Sequence, residues 1–142
     1  FPEREVIINA PPADVYTLNL VARLRVPPRR LVGTWEGESY LLDVKDILYI
    51  DTADKRTFLY TLGRVYESAL RLYELEEALA GLEFLRASRS AIVSFRHVQS
   101  IRPELGGRLL VTMEGGERLY VSRQCAAAWR EKLRELERSF VK

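Results

Sequence analysis

Residues 84–102 carry four arginines and no acid: Arg86, Arg89, Arg96 and Arg102. A guanidinium is planar, permanently charged and forked, so it pairs bidentately with phosphate or with the acceptor edge of guanine. Ser88, Ser90 and Ser94 stand among them, short donors suited to phosphate and sugar oxygens. The chemistry on offer is anion recognition, not bond making. An arginine-rich loop beside a strand is more often plain solvated surface, so the elements that hold these side chains decide between the two readings.

Periodicity assigns those elements. Residues 6–8 read as a short strand. Pro11-Pro12 then opens a helix to about residue 25, with proline tolerated in its first turn, and Pro27-Pro28 ends it. Five short segments follow, 31–35, 39–44, 47–51, 56–61 and 64–68, rich in aromatic and branched residues. Glu36-Gly37, Lys45-Asp46, Ala53-Asp54 and Leu62-Gly63 separate them, which predicts an antiparallel meander. Over 71–80, Leu72, Leu75 and Leu79 share one helical face while Glu74, Glu76 and Glu77 take the rest, and Gly81 supplies the stop. An acidic helix repels DNA, so in a DNA-binding protein it belongs on the far side of the domain.

The arginine-rich segment is then expected as a turn leading into strands at 91–94 and 98–102. Gly106-Gly107 predicts a second turn, and 108–113 with 118–122 a hairpin closed through Gly115-Gly116. Leu109, Val111, Met113, Leu119 and Val121 alternate inward. Ser122 can cap a final helix whose Trp129, Leu133, Leu136 and Phe140 repeat at helical spacing and are expected in the core. Arg123 follows that cap. A cation at a helix start is mildly unfavourable for folding but suits an anion site; the alternative is a side chain pointing into water.

Charge and composition narrow the function classes. The net charge of +2 hides an imbalance: residues 1–70 hold nine basic and ten acidic side chains, residues 71–142 thirteen and ten. The 142 residues suit one domain with a small extension. No apolar run is long enough to span a bilayer and no signal-peptide order opens the chain, so a cytoplasmic protein is expected. The first residue is not Met, which suggests a trimmed or partly unseen start. A single Cys125 forms no internal disulfide, no Cys/His cluster has metal-ligand spacing, and no cofactor is expected. Cys125 near a helix start invites a redox reading, but three following alanines favour plain packing. His97 is the one histidine, with no orienting acid beside it in sequence, so an enzyme is not expected. Arg23, Arg25, Arg29 and Arg30 form a second basic cluster that can touch phosphate, meet an acidic partner or only solvate.

At this point the residues reach a resemblance. Leu48-Tyr-Ile-Asp51, Lys55-Arg-Thr-Phe-Leu-Tyr-Thr61, Leu72-Tyr-Glu-Leu-Glu-Glu-Ala-Leu79, Phe84-Leu-Arg-Ala-Ser-Arg-Ser-Ala-Ile-Val-Ser94, Val98-Gln-Ser-Ile101 and Glu117-Arg-Leu-Tyr-Val-Ser-Arg-Gln124 resemble the successive signatures of the LytTR DNA-binding domain, in the family's order and spacing. The resemblance implies an elongated, mostly β domain with peripheral helices that lays three loops into successive major grooves of DNA. By matching position, the first loop contributes Lys55, Arg56 and Thr57, the second Arg89 with Ser88 and Ser90, and the third Arg123. Arg86 and Arg96 are expected as phosphate contacts. The three loops should converge on one edge of the molecule.

Two positions depart from the family's pattern: the second loop commonly has histidine where Ser88 stands and asparagine where Ser94 stands. In the first loop, Lys55 and Arg56 sit near Asp51 and Asp54 in sequence and can instead form a solvated ion-pair cluster. The resemblance is to standalone LytTR regulators without a receiver domain, in which a strand-helix-strand extension, here residues 1–39, leads into the DNA-binding domain, here 40–142. Such regulators often have an inhibitory membrane protein as partner and bind repeated promoter sites as homodimers. The competing class is a β-rich protein-interaction module whose basic loops dock on an acidic partner.

Overall fold

The computed structural model describes residues 29–140. The strand expected at 6–8, the helix from Pro11 and the stop at Pro27-Pro28, with Arg23 and Arg25, lie outside the described residues.

Ten strands and two helices build the described part: β1 (Arg30–Trp35), β2 (Glu38–Asp43), β3 (Tyr49–Ala53), β4 (Arg56–Tyr60), β5 (Val65–Ser68), α1 (Leu72–Ala78), β6 (Phe84–Ser88), β7 (Ala91–Ser94), β8 (Val98–Pro103), β9 (Leu109–Met113), β10 (Arg118–Val121) and α2 (Arg123–Phe140). Every strand pairing is antiparallel. The mostly β class with peripheral helices is therefore what the sequence predicts.

The order of strands is not. A seven-stranded sheet runs β2-β1-β5-β4-β3-β7-β6, beside a three-stranded sheet β10-β9-β8. Within the large sheet only β3-β4-β5 is a continuous meander; β8-β9-β10 forms another in the small sheet. The β1–β2 hairpin turns back at Glu36-Gly37, both residues in the left-handed region that a two-residue hairpin turn requires, and joins the sheet through β1 against β5. Chain order therefore breaks between β2 and β3, which are joined by a 3-10 turn at Val44–Asp46. A second correction concerns Phe84–Ser88, expected as turn and found as edge strand β6, paired with β7 through an irregularity between Arg86 and Ser88. The turn itself is only Arg89-Ser90.

Two cores lie on opposite faces of the large sheet, and neighbouring cross-strand pairs separate them. Ile50 pairs with Ile92 and faces the first core, while Tyr49 pairs with Val93 and faces the second. In the first, Leu72 and Leu75 of α1 and Leu79 at its C-cap pack on Leu31, Leu42, Ile47 and Leu59, as the leucine spacing predicts. In the second, Leu109, Val111, Met113 and Val121 of the small sheet and Ala126 and Trp129 of α2 cover Leu48, Tyr49 and Val93. The Trp129 indole N–H donates to the Arg86 carbonyl at 2.9 Å, so α2 is tied to the strand that carries the arginine-rich turn.

Ser122 caps α2 as expected, its hydroxyl accepting from the Cys125 amide at 3.3 Å. The rest of that helix departs from expectation. Leu133 and Leu136 are exposed; the α2 residues that reach the second core, Cys125, Ala126 and Trp129, all lie in the first half of its eighteen residues. Cys125 packs at the margin of the second core. No described helix is long and apolar enough to cross a membrane.

Candidate nucleic-acid interface

An open groove of about 800 Å³ lies between the β3–β4 turn, the start of α1 and the β6–β7 turn. Five cations line it, Lys55, Arg56, Arg71, Arg86 and Arg89, against one carboxylate, Glu67. A second depression adjoins it across Arg86 and Arg89 and is walled by Ser88, Ser122, Gln124 and Cys125. The first and second expected loops thus meet in one groove, and the second meets the start of α2 in the next.

The β3–β4 connection is a two-residue turn, Asp54-Lys55, between the paired Ala53 and Arg56. Both turn residues have positive φ, 52° and 64°. Asp tolerates this conformation through its short polar side chain; a lysine without glycine's freedom pays on the order of 1–2 kcal/mol, offset by the ladder on either side. The result is that Lys55 projects at the tip, exposed. Arg56 is not free in the same way. Its Nε and Nη2 donate to the two carboxylate oxygens of Glu67 at 3.1 and 2.7 Å, and the guanidinium lies 5.7 Å from the Phe58 ring. The hydrogen bond and charge of Arg56 hold the Glu67 carboxyl below the usual carboxylate range, and Glu67 raises Arg56 in turn. The ion-pair partner is therefore Glu67, not the Asp51 or Asp54 that sequence proximity suggests. Asp51 faces inward, where burial pushes its carboxyl up against a lowering by the Tyr60 hydroxyl. Thr57 is also buried and lines the groove from its floor.

At the β6–β7 turn the roles differ. Arg86 donates from Nη1 to the carbonyls of Ser88 and Arg89 at 3.2 and 2.8 Å, and its Nη2 pairs with Glu76 of α1 at 3.1 Å. Ser88 accepts from the Ser90 amide at 3.2 Å, and the two hydroxyls lie 3.4 Å apart. Arg86 and Ser88 thus shape the turn, while Arg89 stands exposed with no carboxylate partner among the described residues. The Glu76 pair also corrects the expectation that the acidic helix lies on the far side. The start of α1 borders the groove itself, and partnering with Arg86 offsets the nearest of its acids.

Arg123 lies exposed at the start of α2, with its stem over the Gly107 turn: a Cβ built on Gly107 would meet Arg123 Cγ at 3.0 Å. Gln124, not Arg123, lines the depression with Arg89. Arg96 stands at the other end of the β6–β7 hairpin, in a separate depression with Lys45 and Glu83, and Arg102 pairs with Glu104. The four arginines that share a stretch of sequence therefore do not share a surface. The sequence reading missed Gln124, Arg71 and Tyr73 at this face. Their only signal was position, one after Arg123 and two at the opening of an acidic helix.

His97 corrects the sequence reading in another way. An acid does lie against it: Glu114 Oε1 is 3.0 Å from Nδ1, while Nε2 meets the Lys45 carbonyl. Both ring nitrogens are occupied by contacts that join the small sheet to the β2–β3 connection. Among the described residues no group of His, Cys, Asp and Glu is arranged to hold a metal.

Residues 37–134 match the family model of the LytTr DNA-binding domain. A Staphylococcus aureus protein named as an uncharacterized HTH-type transcriptional regulator is 28% identical over 103 residues, covering 72% of this chain and 69% of the relative. The sensory transduction protein LytT of Bacillus cereus is 29% identical over 99 residues, 70% of this chain but 40% of LytT. Among solved structures, the LytTr DNA-binding domain of a Bacillus cereus protein described as a methyl-accepting/DNA response regulator superposes with a TM-score of 0.71 at 25% identity, covering 75% of this chain and 97% of that one. The helix-turn-helix in the first relative's name has no counterpart among the described residues here, where α1 and α2 are separated by five strands.

Proposed function

The chain belongs to the LytTr DNA-binding domain family, and on that premise we propose that it is a sequence-specific transcription regulator that binds promoter DNA through loop-borne side chains laid into successive major grooves. The observation that carries this reading is the groove with five cations and one carboxylate, continuous across Arg86 and Arg89 with the depression at the start of α2. A duplex presents evenly spaced phosphates to such a surface.

In this reading Arg89 contacts base edges from the β6–β7 turn and Arg123 does so from the start of α2, with the Gln124 amide beside it; arginine suits guanine and glutamine suits adenine. Lys55 and Arg56 contact phosphate from the β3–β4 turn. Thr57 holds that loop from below, as Arg86, Ser88 and Ser90 hold the other. Arg96, in its separate depression at the hairpin's other end, lies outside this face. The DNA-binding unit expected at 40–142 also takes in β1, which pairs with β5 and places Leu31 in the first core. The protein works in the cytoplasm, without catalysing a reaction, as a homodimer on repeated sites. An inhibitory membrane protein as partner rests on likeness to standalone regulators alone.

The test is selection of bound sequences from a random duplex pool, followed by titration of the selected and a random duplex at several salt concentrations. A regulator keeps a specificity ratio of about a thousandfold or more, with steep salt dependence. Equal binding of both duplexes contradicts the reading.

A further inference from the structure

We infer that Arg71 and Tyr73, at the opening of α1, are additional contacts to the DNA sugar-phosphate backbone, forming the wall of the groove opposite the β6–β7 turn. This rests on the DNA-binding reading above and adds a fourth element to the three loops.

Arg71, Tyr73, Lys55 and Arg89 line the same groove. Arg71 is exposed, and no described carboxylate pairs with its guanidinium. Its backbone is fixed, because its amide donates to Glu74 Oε1 at 2.8 Å. That bond also occupies the one acid on the first turn of α1. Two further acids near the groove are paired, Glu67 with Arg56 and Glu76 with Arg86, while Asp54 stands next to Lys55 in the β3–β4 turn. Lys55, Arg71 and Arg89 line the one opening without an ion-pair partner among the described residues.

Tyr73 supplies the second argument. It leaves 59% of its surface in water, although its neighbours Leu72 and Leu75 are buried in the first core. A large aromatic residue exposed beside these cations has the makeup of a recognition surface, since the ring can lie on a deoxyribose and the hydroxyl can donate to phosphate. Neither residue reaches toward the α2 depression, so they are assigned to backbone and not to base edges.

The experiment uses the full chain, the duplex selected from the random pool and a random duplex, each titrated over a salt series. Arg71→Gln should weaken both duplexes by the same factor, about fivefold to tenfold, and reduce the salt slope by about one. Tyr73→Phe, which keeps the ring and removes the hydroxyl, should weaken both by a smaller common factor, and Tyr73→Ala by more. Thermal midpoints matching the native chain exclude a folding effect. The inference is overturned if both variants bind with native affinity and native salt slope while Arg89→Ala does not. It is also overturned if the loss is confined to the selected duplex, which would mean base reading. A native chain that binds neither duplex overturns the DNA-binding reading and this one with it.

Discussion

The two turns that flank the groove hold their cations by opposite means. Beside the β3–β4 turn a carboxylate of the neighbouring strand, Glu67, accepts from the Nε–Nη2 edge of the Arg56 guanidinium; the arginine is ordered, but its charge is already matched. In the β6–β7 turn the ordering falls on the backbone: Arg86 gathers the carbonyls of Ser88 and Arg89, Trp129 holds the carbonyl of Arg86, and Arg89 is left unmatched. One turn presents a guanidinium that a phosphate must win from a carboxylate. The other presents one that is free while its loop is not. A preorganised loop with a free charge is the better reader of base edges, because little ordering entropy is lost on binding; a pre-matched charge is suited to adjusting affinity.

The largest effect should come from removing what roots the second turn. Trp129 is fully buried, so Trp129→Ala should cost about 3–5 kcal/mol of stability, seen as a lower midpoint in chemical denaturation. Trp129→Phe should cost less, chiefly by stranding the Arg86 carbonyl, and should reduce discrimination between selected and random duplex. Equal loss of stability in both variants would show that the indole hydrogen bond is incidental.

Next comes the free arginine. Arg89→Ala should cost about 1–3 kcal/mol in binding to the selected duplex and relax the preference at one base position, measured by repeating the selection with the variant. An unchanged preferred sequence would place base reading elsewhere.

The smallest effect should come from the matched arginine, and its sign is opposite. Glu67→Gln removes the competing carboxylate, so binding to random duplex should rise severalfold and the salt slope by about one, with little change in thermal midpoint because the pair is exposed. The same logic gives a pH dependence. Arg56 holds the Glu67 carboxyl below its ordinary value of 4.5. The pair's contribution to stability is therefore complete above about 4.5 and is lost as pH falls through the lowered value. Native protein and Glu67→Gln should converge in affinity over that acidic window. A constant difference between them would show that Glu67 acts by shape and not by charge.

The legible part of the molecule was what depends on neighbours in sequence. Leucine spacing placed the α1 face, Ser122 marked the cap of α2, and Glu36-Gly37 and Gly115-Gly116 marked hairpins. What escaped depends on partners far apart along the chain. Strand β6 was hidden because, as an irregular edge strand, it does not show clean alternation: Ala87 is its single buried residue. Leu133 and Leu136 carry the right spacing for a core, yet spacing does not say where the core beneath a helix ends. The matching of Arg56 with Glu67, of Arg86 with Glu76 and of His97 with Glu114 spans ten to seventeen residues in sequence, and such pairings follow from topology alone. For the same reason the four arginines of residues 84–102 separate, Arg86 and Arg89 to the β6–β7 turn, Arg96 to that hairpin's other end and Arg102 to β8 of the small sheet, while Arg71 and Gln124, from other segments, join Arg89.

The central claim is spatial: one face, made of the β3–β4 turn, the β6–β7 turn and the starts of α1 and α2, meets the duplex. Backbone amide resonances followed by NMR during titration with the selected duplex test it most directly. The account predicts the largest shifts at Lys55, Arg71, Ser88 to Ser90 and Gln124, with the β1–β2 hairpin and the second half of α2 unmoved. Shifts centred on that hairpin or on Leu133 and Leu136, with the groove silent, would contradict it.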